Sequence, residues 1–157
     1  MSIRKSLLPL FVALLVVTLG ACGGNAPSID WTVNVTGAVS NPLEISYHDL
    51  VGREQVTLED VLMRRSQGED STNSWEGPAV GAILEEAGAS ASATAIVCMA
   101  DDGYAMEIPL GELGDAIIAL KRDGEWIGEE GGVIRIVVPS LPANSWISQL
   151  TDIQVVE

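Results

Sequence analysis

The sequence predicts an α+β domain built mostly of short strands with a few short helices. Three observations carry that reading. Apolar and polar residues alternate in runs of four to eight from about residue 30 onward, the period of a half-buried strand. Turn-forming pairs such as Asn41-Pro42, Asp102-Gly103 and Asp123-Gly124 separate those runs. Helical spacing of apolar residues appears only in brief stretches, which places helices beside a sheet rather than in a bundle.

Taken in order, Asp30-Trp31-Thr32-Val33-Asn34-Val35-Thr36-Gly37 alternates as a strand, and Leu43–Ser46 repeats the pattern after the Asn41-Pro42 turn. Ser46 is placed to cap a short helix through Val51, because a serine hydroxyl accepts from the free N–H groups of a first turn. Residues 55–63 fit either strand or short helix. The polar run from Arg64 to Ser74 reads as an exposed loop. Pro78 suits the first position of a helix, which runs over Ala79–Ala87 with Val80, Ile83, Leu84 and Ala87 on one face, and Gly88 stops it. Thr94–Met99 is a buried strand and Tyr104–Ile108 its return, followed by a short turn at Leu110–Leu113 and an apolar run at Ala116–Leu120. Lys121–Trp126 reads as a hairpin, since Asp123-Gly124 tolerates the positive φ of a tight turn. Gly131-Gly132 opens the strand Val133–Val138, Pro139 stops it, and the chain ends in the strand Asp152–Val156.

Residues 1–21 have the parts of an export signal. Arg4 and Lys5 precede an apolar run from Leu7 to Leu19. That run contains Pro9 and is shorter than the ~20 residues of a spanning helix. Its end, Leu19-Gly20-Ala21-Cys22, resembles the lipobox of bacterial lipoproteins. The resemblance implies cleavage before Cys22, diacylglycerol on its thiol, a tether over residues 22–30 and a domain over 31–157. The protein is then expected on the cell membrane or outer membrane, facing outside the cytoplasm.

Losing Arg4 and Lys5 leaves six of the eight basic residues against all 22 acidic ones, a formal charge of −16 for the mature chain. Such a surface repels polyanions, which excludes nucleic-acid binding. No regular Asp/Glu spacing marks a cation site. With Cys22 acylated, Cys98 has no disulfide partner. Its setting in Ala95-Ile96-Val97-Cys98-Met99-Ala100 is that of a small buried hydrophobe rather than an exposed thiolate. His48, the one histidine, sits beside Asp49, but adjacent side chains do not face each other, and it reads as an exposed or capping residue. Trp75, Trp126 and Trp146 could line a ligand cleft, but in a chain with a single Phe they read rather as core area.

Several segments resemble, in their order, the oxidoreductase molybdopterin-binding domain with its sulfite-oxidase-type fold. They are Asp49-Leu50, Trp75-Glu76-Gly77, Ala87-Gly88, Asp102-Gly103-Tyr104, Asp123-Gly124 and the run Gly131-Gly132-Val133-Ile134-Arg135-Ile136-Val137-Val138-Pro139. The resemblance covers roughly Trp31 to Val156. It implies a cysteine thiolate holding molybdenum after the strand that begins near Val56, and basic residues after Pro139 holding the pterin phosphate. Neither is in place. Val56–Arg65 has no cysteine and Leu62 stands near its position, while Ser140–Leu150 has no Lys or Arg. The candidate ligand pocket is therefore Arg64, Arg65, Cys98 and Arg135, with no catalytic or metal residue assigned. Arg64 and Arg65 read rather as solvated loop charges, and Arg135 as half of an ion pair.

The leading expectation is a lipid-anchored accessory or binding module without molybdenum, its ligand a small molecule or protein of unknown identity. The alternative is a divergent molybdopterin-dependent oxidoreductase. Arg4-Lys5 is not the twin-arginine pair that export of a folded cofactor protein uses. A solute-binding or docking protein using the old cofactor cleft is a third possibility.

Overall fold

The computed structural model describes residues 24–157. The signal segment 1–21 and Cys22 lie outside the described residues. Eleven strands, two short α-helices and two 3₁₀ turns make up the domain.

A five-stranded sheet in the order β2-β1-β11-β5-β6 forms the first layer. It contains β1 (Thr32–Gly37), β2 (Leu43–Ser46), β5 (Ala95–Ala100), β6 (Ala105–Pro109) and β11 (Leu150–Val156). β1 and β11 pair in parallel, Val35 opposite Ile153, and the other neighbours are antiparallel. Val33, Val35, Ile45, Ile96, Cys98, Ile108, Ile153 and Val155 are buried from this sheet and join one core. Alternation put them on the inner face, as a period of two requires.

A second sheet runs β3-β4-β8-β9, with β3 (Val56–Met63), β4 (Ser71–Gly77), β8 (Lys121–Arg122) and β9 (Glu125–Trp126). Residues 55–63 thus resolve as a strand. Its register shifts between Leu58 and Val61, and Asp60 there adopts φ 52°, a bulge that bends the strand. The run 64–74 is only partly a loop, because Ser71–Ser74 belongs to β4. Polar residues form a strand here because Ser71–Asn73 pair with β3, while β8 pairs with Trp75 and Glu76 further along.

β7 (Ile117–Ala119) pairs with β10 (Arg135–Val137) in a short buried ladder between the two sheets. Val133 and Ile134 precede that strand instead of starting it. Val133 takes φ 60°, and its N–H donates to Gly128 O at 2.7 Å. That region is costly for a β-branched residue.

Ser46 caps α1 (Tyr47–Gly52) in a full capping box: its hydroxyl accepts from Asp49 N, and the Asp49 carboxylate accepts from Ser46 N. α2 spans Val80–Glu86 with Ala79 as N-cap, so Pro78 lies two residues before the first helical position expected for it. The chain between β4 and α2 is pressed against β7. A Cβ on Gly77 would fall 1.9 Å from Ile118 O, so only glycine fits where Trp75-Glu76-Gly77 meets the ladder.

Candidate functional site

The site is built on the second sheet. Trp75 and Arg122 lie directly opposite each other in the β4–β8 pair, and cross-strand partners share a face. β7 leads straight into β8, and its Ala119 pairs with Arg135 of β10, which brings Arg135 beside Arg122. The Asp123-Gly124 turn, with both residues at positive φ, returns the chain as β9 and delivers Trp126. Together Trp75, Arg122, Glu125, Trp126, Ile127, Glu130, Gly131 and Arg135 line a cleft of about 320 Å³, within the range of small-ligand sites.

Its electrostatics are unusual for so acidic a chain. Among the described residues, the ion pairs are Arg53–Glu86 and Lys121–Glu76. Arg64, Arg65, Arg122 and Arg135 have no carboxylate partner there. The ion pair expected for Arg135 is therefore absent. Burial, then the neighbouring Arg122 and Arg65 charges, lowers the Arg135 pKa from its ordinary value. Its guanidinium carbon lies 6.0 Å from the centre of the Trp75 ring, the outer limit of a cation–π contact. Trp75 is only 2% exposed and packs edge-on against Trp146 with ring centres 6.0 Å apart. Its indole N–H is buried without a hydrogen-bond partner in the described structure. A buried donor left unmade costs about 1–3 kcal/mol. The cleft itself holds two arginines outside any ion pair, with Glu125 and Glu130 on its wall.

The loop after Pro139 has no cation of its own, but one is supplied from β3. Arg64 Nη2 donates to Ser140 O at 3.2 Å, and Arg64 O accepts from Ala143 N at 2.9 Å. Trp146 Nε1 closes the same loop on Val138 O and Leu141 O at 2.8 and 3.1 Å.

Of the four pocket residues expected from sequence, Arg135 lines the cleft and Arg65 is close enough to shift it electrostatically. Arg64 faces the 140–143 loop. Cys98 does not belong with them. It lies in β5 between Ile153 and Met106, fully buried, and burial pushes its thiol up to about 12. Leu62 is 48% exposed and is not among the cleft residues. The irregular position of β3 is Asp60 instead. Trp75 and Trp126 line the cleft, the less favoured of their two readings, and Arg122 was missed, because it meets them only through strand register. His48 and Asp49 lie apart from the cleft, on α1.

The resemblance implies a thiolate for molybdenum. Cys98 is the one cysteine among the described residues, and its buried, protonated sulfur does not fit that role. No group of three or more His, Cys, Asp or Glu that could hold a metal exists among the described residues. The cleft offers the guanidinium groups of Arg122 and Arg135, which suit an anion, beside the carboxylates of Glu125 and Glu130.

The family model described as "Oxidoreductase molybdopterin binding domain" matches residues 23–157. No curated protein matches the chain. Among solved structures, the sulfane dehydrogenase SoxCD from Paracoccus pantotrophus superposes with a TM-score of 0.71 at 19% identity, over 83% of this chain and 40% of that one. The chain thus spans well under half of that enzyme chain, and the likeness is one of sulfite-oxidase-type fold.

Proposed function

The chain belongs to the oxidoreductase molybdopterin-binding domain family, and on that premise we propose that it is a membrane-anchored, extracytoplasmic binding module that takes an anion without ligating molybdenum. The observation that carries this reading is the cleft itself, where Arg122 and Arg135 stand outside any ion pair although Glu125 and Glu130 share its lining. The expected thiol is missing from β3, and Cys98 is in the core. Anchoring through Cys22 and export by residues 1–21 complete the reading, on the strength of Leu19-Gly20-Ala21-Cys22.

The protein purified from a host that makes the molybdenum cofactor should contain no stoichiometric molybdenum, and phosphate should raise its melting temperature. Molybdenum at one atom per chain overturns the proposal. Cys22→Ala should leave the protein unprocessed or release it from membranes; unchanged fractionation defeats the anchor.

A divergent molybdopterin-dependent oxidoreductase is the second reading, favoured by the family and by unpaired arginines that suit a pterin phosphate. It requires pterin fluorescence after denaturation of the purified protein.

A further inference from the structure

Strand register sets the order of charges along the cleft. Arg122 lies opposite Trp75 in one ladder and opposite Glu125 in the next. Directly paired residues share a face, so Trp75, Arg122 and Glu125 form one row across three strands. Arg135 enters beside that row from β10, half-buried, with its guanidinium carbon 6.0 Å from the Trp75 ring centre. Glu125 and Glu130 are both exposed and stand at the mouth. Glu130 is carried by a closed loop. Val133 N donates to Gly128 O at 2.7 Å, and Gly132 N to Glu129 O at 3.1 Å. A Cβ on Gly131 would fall 2.5 Å from Ile127 O, so this loop folds tightly onto Ile127, another wall of the cleft.

Two guanidinium groups and two carboxylates thus line one small space, and none of the four is in an ion pair. Arg122 and Glu125 are even directly opposed, where unlike charges on a sheet attract. In sum the lining is neutral. A plain anion entering it meets both carboxylates, and on its approach meets a chain with 22 acidic residues against eight basic ones. A ligand that carries an ammonium as well as an acid group has no net charge to be repelled, and it answers both kinds of group at once. A cleft of about 320 Å³ is at the small end of ligand sites, which suits a molecule of amino-acid size.

We propose that the cleft binds a small zwitterion of the amino-acid class, its acid group inward on Arg135 and Arg122 and its ammonium at the mouth on Glu125 and Glu130. This rests on the anion-binding reading and names its ligand class, since the arginines hold the acid group in both. The probes are free glycine, β-alanine and γ-aminobutyrate, each against its amine-free counterpart acetate, propionate or butyrate, with inorganic phosphate alongside. They are titrated into the protein by calorimetry at low salt. At least one amino acid should bind about fivefold more tightly than its counterpart, the worth of two exposed ion pairs. Glu125→Gln combined with Glu130→Gln, both at exposed positions, should erase that preference and tighten phosphate binding. Arg135→Met should remove binding of amino acid and phosphate alike. Phosphate binding with no amino acid preferred, or a preference that survives the double Gln variant, overturns the proposal and leaves the anion-binding reading standing. Failure of phosphate and of every acid to bind defeats both.

Discussion

Replacing Arg135 with methionine should stabilise the domain while ending its response to anions. The side chain is half-buried, has no carboxylate among the described residues, and shares its surroundings with Arg122 and Arg65. Methionine keeps the aliphatic stem against Trp75 and removes the repelled charge. Stabilising substitutions of this kind contribute about 0.5–2 kcal/mol. For a domain of this length, each kcal/mol moves the melting temperature by about 4 °C. Without phosphate, Arg135→Met should therefore melt about 2–8 °C above the parent by calorimetry. With phosphate at 100 times its dissociation constant, the parent gains about 2.7 kcal/mol through ligand linkage, and the ranking of the two proteins reverses. An Arg135→Met protein that melts lower than the parent without phosphate refutes the reasoning, because the guanidinium would then be a structural group.

Gly77→Ala should cost about 1–3 kcal/mol or more as overpacking, since its Cβ would lie 1.9 Å from Ile118 O; urea unfolding checks it. Asp123 accepts from Ser74 N and Asn73 Nδ2, and these bonds hold its carboxyl below the usual range. Its contribution is complete above the unfolded carboxylate pKa and is lost as pH falls through the lower folded one. Asp123→Asn should flatten the acid limb of a stability–pH curve; an unchanged limb counts against this pair of bonds. Cys98, with its thiol raised to about 12, should resist alkylation at pH 8 in the native protein and react fully in denaturant, as read by intact mass.

Local chemistry made much of the fold legible. The Ser46 cap, the Asp123-Gly124 turn and the alternation in β1, β5 and β11 depend on neighbours in sequence, and each forms as the residues dictate. Ser71–Ser74 looked like a loop because its side chains are polar, whereas the ladder with β3 decides its state. The cleft was less legible for the same reason. Arg122 has the look of a hairpin charge and Trp75 of core bulk; their meeting is a matter of register between strands about 45 residues apart in sequence. Arg135 was expected to find a carboxylate, as a strand arginine in an acidic chain should. Glu125 and Glu130 line the same cleft, yet neither forms an ion pair with it.

The parallel pairing of β1 with β11 has a consequence for how the molecule comes to be folded. Thr32–Gly37 and Leu150–Val156 lie at opposite ends of the domain's sequence, yet β11 stands at the centre of the five-stranded sheet, between β1 and β5. The sheet has a gap in its middle until the final residues are available. Most of the chain must be synthesised before its core can close, and the long loop closure makes folding slow. Loss of even the last seven residues would cut the sheet in two rather than trim its edge.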